Sequence, residues 1–245
     1  MLDPLHQFQI TKIIPLSLGV WDISYTNSAL WMTIGLGVLC IFFYASLRRE
    51  AVIPSRLQAS AELIFTFLSD TVKTYIGKEG TVFFPFIFTL FWFILVGNLL
   101  GLIPSSFTYT SHLAVTFTLA IAAFIIANVA GFKKNGLKLF HLFLPKGMPI
   151  FLAPLMIVIE LISYLARPFS LAIRLFANMM AGHLILKLFA SFSAMLVESS
   201  LAVLGVVPLL LNIGMVGLEF LVAVLQTYVF TLLTCLYIND AINLH

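Results

Sequence analysis

Long apolar segments separated by short polar ones dominate the chain. Runs of roughly 20 apolar residues, the length that an α-helix needs to cross a bilayer, occupy 27–47, 83–103 and 112–132. Two further apolar segments, 150–192 and 201–239, would each be about 60 Å long as helices, twice the thickness of the hydrocarbon. We therefore expect these two segments to be strongly tilted, bent or broken, and to form a hairpin.

The segment 54–78 between the first two spans has a different periodicity, with apolar residues spaced three and four apart. Its apolar positions are Leu57, Ala61, Ile64, Leu68, Val72 and Tyr75, and its polar positions are Arg56, Glu62, Asp70 and Lys73. This pattern predicts an amphipathic helix at the inner membrane surface. A helix packed on the protein is an equally good interpretation, and the two are compatible.

Composition agrees with a membrane protein. Hydrophobic residues make up 61% of the 245 residues and charged residues only 9%, whereas soluble domains have roughly 25% charged residues. We predict a single all-α integral membrane domain, 1–245, with about five membrane-crossing helices, one interfacial helix and an outer N-terminal segment, 1–26. The net charge of +3 does not indicate nucleic acid binding. Cys40 and Cys235 lie in apolar runs without a metal-site spacing, and we expect both to be buried.

The basic residues predict the orientation in the membrane. Nine of the thirteen fall in two alternate loops, namely Arg48, Arg49, Arg56, Lys73 and Lys78 in one and Lys133, Lys134, Lys138 and Lys146 in the other. Loops rich in lysine and arginine face the cytoplasm or matrix. The N-terminus is therefore expected outside, and the C-terminus inside after five crossings.

Several polar residues lie within the apolar segments at regular intervals. Glu160, Arg167 and Arg174 are seven residues apart and so follow one drifting stripe of a helix, which Asn178 extends. His183, nine residues after Arg174, falls on roughly the opposite side. The last segment repeats the seven-residue spacing with Asn212, Glu219 and Gln226, and Asn98 lies in the second span.

Each of these residues has a structural interpretation as well as a functional one. Glu160 and Arg167 lie near the inner end of their helix, where they can snorkel or form a structural salt bridge, and amides often bond neighbouring helices. A structural role is least expected for Arg174, because an arginine in hydrocarbon is costly. Lys187 and Glu198 are interpreted as interfacial.

A fixed cation beside His183 and Glu219, which can exchange protons, indicates proton passage. A proton-coupled secondary transporter is the alternative function, although the two halves lack matching hydropathy. A purely structural membrane scaffold is a third interpretation.

The segment "ELISYLARPFSLAIRLFANMMAGH", followed by "GLEFLVAVLQTYVFTLL" and "YINDAINLH", closely resembles subunit a of the rotary F-type ATP synthase, and the resemblance covers essentially the whole chain. It implies that the two long helices lie against the ring of c subunits. It assigns Arg174 as the essential arginine facing the rotor carboxylates. It further assigns the outer inlet half-channel to His183, Glu219 and Asn98, the rotor contact to Asn178 and Gln226, and the inner half-channel to Glu160. Arg167 and Asn212 remain possible site residues.

The resemblance also implies partners and location. The partners are the c-ring, peripheral-stalk and other membrane-sector subunits, lipid and protons, with no nucleic acid, cofactor or metal. The chain has no GxxxxGK[ST] nucleotide loop, so it would not itself act on ATP, and its status as an enzyme is left open. The membrane would be the mitochondrial inner membrane or a bacterial plasma membrane. The order His183 then Glu219 resembles mitochondrial and alphaproteobacterial members, and Gly101 stands where some members have an aspartate.

Overall fold

A computed structural model describes residues 9–15, 17–18, 21–22, 24–48, 54–103, 106–136, 153–198 and 205–243. Within these residues the chain forms six α-helices: α1 Asn27–Leu47, α2 Arg56–Tyr75, α3 Phe84–Gly101, α4 Leu113–Asn135, α5 Ala153–Val197 and α6 Val206–Ile242. All except α2 are long and apolar enough to cross a membrane. The all-α membrane fold with five crossing helices is confirmed.

The part of the N-terminal segment that the structure describes contains short strands, which the sequence did not predict. β1 Lys12–Ile14 pairs with β4 Tyr25–Thr26, and β2 Ser17–Leu18 pairs with β3 Trp21–Asp22, both antiparallel. Asn27 connects this segment to α1, because its amide side chain accepts from the backbone of Thr11 at 3.2 Å and donates to the Gln9 carbonyl at 3.0 Å. The strands are too short to change the fold class.

The helices begin and end at residues suited to these positions. The Thr26 hydroxyl accepts from the Ala29 N–H at the start of α1, and the Ser55 hydroxyl accepts from Gln58 at the start of α2. Pro85 lies in the first turn of α3. α4 ends at Gly136, whose φ of 55° suits glycine.

The amphipathic helix α2 packs on the protein along its predicted apolar face. Leu68 and Val72 are fully buried and Ile64 is half-buried, whereas Leu57 at the first turn is exposed. Leu68 packs with Leu39 of α1 and with the aromatic residues of α3. α2 is therefore a helix packed on the protein, as one of the two interpretations expected. Its opposite face is exposed and is compatible with contact with the membrane surface.

α6 packs against α3, α4 and α5 and so forms the centre of the bundle. The buried face of α4 consists of alanines at a spacing of three and four, namely Ala120, Ala123, Ala127 and Ala130. Such small residues let neighbouring helices approach closely in a membrane. Two core clusters join α6 to this face and to α3, around Phe230 and around Ile238.

The two long apolar segments are each one continuous helix, not a broken one. α5 continues past 192 to Val197, and the Ser193 hydroxyl donates to the carbonyl of Gly205 at 2.9 Å. At 45 residues, α5 is about 67 Å long. α5 therefore extends beyond 192, where the apolar segment was expected to end. Cys235 of α6 is buried as expected, but Cys40 is exposed, because it lines an open groove between α1 and α3.

Candidate proton-path site

Arg174 lies on the outward surface of α5. Its side chain is exposed, as are those of Ile173 and Phe169, and its guanidinium forms no hydrogen bond or ion pair with another residue that the structure describes. A charged group within an apolar span normally has a partner inside the protein. Within the described chain, this guanidinium is exposed and has no such partner.

Small residues flank Arg174 on the same surface of α5. Exposed small side chains occur four and eight residues before it and three and seven residues after it: Ala166, Ser170, Ala177 and Ala181. Nearer the N-terminal end of α6, beyond Glu219, Gly214 and Gly217 are also exposed, with open space beside both. The helical spacing of this stripe is visible in the sequence, but none of its members is among the predicted site residues. The stripe leaves room for a helix of another chain to approach closely.

His183 and Glu219 meet on the other side of α5, within the bundle. His183 Nδ1 lies 3.5 Å from Glu219 Oε1, and the two side chains are 13% and 2% exposed. Within the described chain neither carboxylate oxygen of Glu219 has a hydrogen bond. A buried carboxyl without such bonds is costly, which is characteristic of functional positions in membrane helices. The second imidazole nitrogen, Nε2, lies 2.8 Å from the hydroxyl of Thr108.

Three amide side chains lie next to this pair, toward the middle of α5 and α6. Asn98 of α3 donates to the carbonyl of Ala223 and to the hydroxyl of Thr227, both at 3.2 Å. Asn178 donates to Gln226 Oε1 at 3.0 Å. Asn178 therefore turns from the Arg174 surface toward α6. Asn98 Oδ1 and Gln226 Nε2 are buried and make no hydrogen bond with described residues, which is costly for a polar group.

Arg167 lies nearer the N-terminal end of α5 than Arg174 does, and it pairs with α6. Its guanidinium donates to Asp240 Oδ2 at 3.0 Å and lies 5.4 Å and 5.6 Å from the ring centres of Tyr164 and Tyr237. Tyr164 in turn donates to Asn128 of α4 at 2.5 Å. A structural salt bridge is one of the roles expected for Arg167, but its partner Asp240 is not predicted from the sequence, because the contact joins residues 73 positions apart.

Glu160 and Asn212 lie outside these groups. Glu160 is half-buried near the start of α5 and forms no ion pair with a described residue. A pair with Arg167 would span about 10 Å along the helix axis, so Glu160 is too far away to compete with Asp240. Asn212 has a buried, unbonded Oδ1 in the described part of the chain. The structure thus brings together His183 with Glu219 and Asn178 with Gln226, while Arg174, Glu160 and Asn212 stand apart.

The connector between α3 and α4 packs against the His183 site. Its residues Phe107 to Ser111 are buried, and His112 stacks on Phe107 with ring centres 4.9 Å apart. Burial lowers the pKa of His112 and raises that of Tyr109, so both are neutral near pH 7. Among the described residues, no group of three or more His, Cys, Asp or Glu side chains is arranged to hold a metal ion.

Comparison with known proteins gives the family. Residues 29–239 match the family model described as ATP synthase A chain. The chain belongs to this family. ATP synthase subunit a of Rhodospirillum rubrum is 48% identical over 245 residues, the full length of both chains, and the same protein from the strain ATCC 11170 matches equally. The family assignment confirms the resemblance found in the sequence, and with it the predicted proton-translocating stator subunit of the ATP synthase membrane sector.

Proposed function

We propose that Arg174 is the stator group that meets the carboxylates of a c-ring, and that two offset half-channels lead protons to and from it. The observation that carries this proposal is the exposed guanidinium without an ion partner in the described chain. A membrane arginine needs an anionic partner, and the flanking small residues let a helix that carries one come close. A nearby guanidinium stabilises the ionised form of a carboxyl group.

The outer half-channel contains His183, Glu219 and Asn98. The close approach of the imidazole and the carboxyl, 3.5 Å in a buried position, supports a shared proton site. Asn178 and Gln226 form the next polar step toward the rotor contact, supported by their 3.0 Å hydrogen bond. The inner half-channel begins at Glu160, which is accessible near the inner end of α5. Arg174 lies between the two routes and blocks a direct leak of protons.

The subunit works in an assembly with the c-ring, the peripheral stalk and other membrane-sector subunits. We further propose that α5 and α6 run obliquely in the membrane, because α5 is about twice as long as the hydrocarbon is thick. The N-terminus lies outside and the C-terminus inside, as the basic loops indicate. The membrane is an energy-coupling one, mitochondrial or bacterial.

The decisive experiment replaces Arg174 in the assembled complex and measures ATP-driven proton pumping in inverted membrane vesicles. Arg174→Ala is expected to lose at least roughly 100-fold, the scale for removing one charge-stabilising group. Arg174→Lys is expected to fail too, since a compact ammonium lacks the planar fork and loses its proton more readily. The matched control is Ile173→Ala, at an exposed neighbour, which should pump normally. Normal pumping by Arg174→Ala would overturn the proposal, and solute uptake by the purified chain alone would favour a transporter.

A further inference from the structure

The connector Phe107 to His112 is docked on α3 through two glycines one helical turn apart. A Cβ at Gly97 would overlap the ring of Tyr109, and a Cβ at Gly101 would lie 2.5 Å from Thr108 Oγ1 and 2.6 Å from its Cγ2. Tyr109 also donates a hydrogen bond of 2.8 Å to the carbonyl of Phe93. Any larger residue at either glycine would displace the connector side chain that lies against it.

Hydrogen bonds from residues before and after Thr108 in the sequence fix the same connector. The Ser106 hydroxyl donates to the carbonyl of Leu100 at 2.6 Å, in the last turn of α3, where this carbonyl also accepts from the Ile103 N–H at 3.2 Å. The Ser111 hydroxyl donates to the Thr108 carbonyl at 2.6 Å. The Thr108 side chain, only 4% exposed, is therefore held in one position between Gly101 and α5.

We propose that Thr108 is a positioning residue of the inlet and that Gly101 makes room for it. Its hydroxyl lies 2.8 Å from His183 Nε2, while Nδ1 of the same ring faces Glu219. A hydrogen bond at one imidazole nitrogen selects the tautomer and ring orientation that the other nitrogen presents. Thr108 thereby keeps Nδ1 directed toward the carboxyl of Glu219. It prevents rotation of the imidazole ring into the opposite orientation, in which a ring carbon would face the carboxyl.

This arrangement gives the inlet of this chain a polar group that does not come from α3. At Gly101 the chain has no side chain, and the space is filled by the Thr108 methyl and hydroxyl. The hydroxyl reaches His183 from the connector, 75 residues away in the sequence. The inference rests on the proposed role of His183 in the inlet.

The test compares Thr108→Val, which keeps the shape and removes the hydroxyl, with Thr108→Ser, which keeps the hydroxyl. ATP-driven proton pumping is measured per assembled complex. Thr108→Val is expected to lose about tenfold, the scale for one hydrogen bond to an ionisable group, and Thr108→Ser is expected to stay within about twofold. The matched control is Thr110→Val, because Thr110 is fully buried in the same connector and its hydroxyl bonds no described residue.

Normal pumping by Thr108→Val, or equal losses in the valine and serine variants, would overturn the assignment. If Thr108→Val does not accumulate in the membrane, the smaller Thr108→Ala replaces it with the same expected loss. His183→Ala in the same series separates the two proposals. Loss in His183→Ala with normal pumping in Thr108→Val rejects only the role of Thr108, whereas normal pumping in His183→Ala rejects the proposed inlet itself.

Discussion

A substitution at Gly182 tests the geometry of the proton path sterically, without replacing a titratable residue. Gly182 precedes His183 on α5 and lies against the side chain of Glu219. A Cβ built on Gly182 would stand 2.6 Å from Glu219 Oε1 and 2.9 Å from Cδ. Ordinary contacts between carbon and oxygen are about 3.3–3.6 Å, so in Gly182→Ala the carboxyl has to retreat by roughly 0.7–1 Å.

The size of the expected effect follows from this displacement. Oε1, the atom that retreats, is the one that lies 3.5 Å from His183 Nδ1. A misplacement of about 1 Å between reacting groups can lower a rate by up to roughly 100-fold, which corresponds to about 3 kcal/mol in the barrier. We expect Gly182→Ala to lower proton pumping by about 10- to 100-fold, although alanine favours the helix by about 1 kcal/mol over glycine.

The assay is ATP-driven acidification of inverted vesicles, expressed per assembled complex from the amount of the chain retained in the membrane. Gly37→Ala is the matched control, since Gly37 lies in the exposed face of α1 with open space around it. It should pump as the wild type does. Pumping by Gly182→Ala at the level of Gly37→Ala would refute the reasoning, because the carboxyl would then tolerate the displacement.

Two further predictions concern the Arg167–Asp240 ion pair and the orientation of the chain in the membrane. Arg167→Gln and Asp240→Asn should each lower the thermal stability of the complex by about 1–2 kcal/mol, because the pair is partly exposed and the guanidinium also contacts two rings. The double variant should lose less than the sum of the two single losses. Additive losses in this cycle would show that the pair is not coupled. In the second, a membrane-impermeant maleimide should label Lys133→Cys in inverted vesicles and Ile13→Cys in right-side-out vesicles, and the reverse pattern would overturn the orientation.

The sequence alone determined the elements and the main chemistry of this chain. Five helices follow from apolar runs, because no other structure buries so many backbone groups in lipid within one segment. Helical periodicity also predicted opposite sides of one helix for Arg174 and His183. The structure places Arg174 outward and His183 inward, beside Glu219. These properties are local, since they depend only on spacing along a single helix.

Only the tertiary structure decided which groups meet across helices. The partner of Arg167 is Asp240, the second contact of His183 is Thr108, and the carboxyl of Glu219 rests on Gly182. None of these contacts leaves a mark in periodicity, because each depends on how far two helices approach and rotate against one another. Small residues such as Gly97 set how closely neighbouring helices and connectors approach. Because a glycine has no side chain, only its packed neighbours show what fills the space beside it.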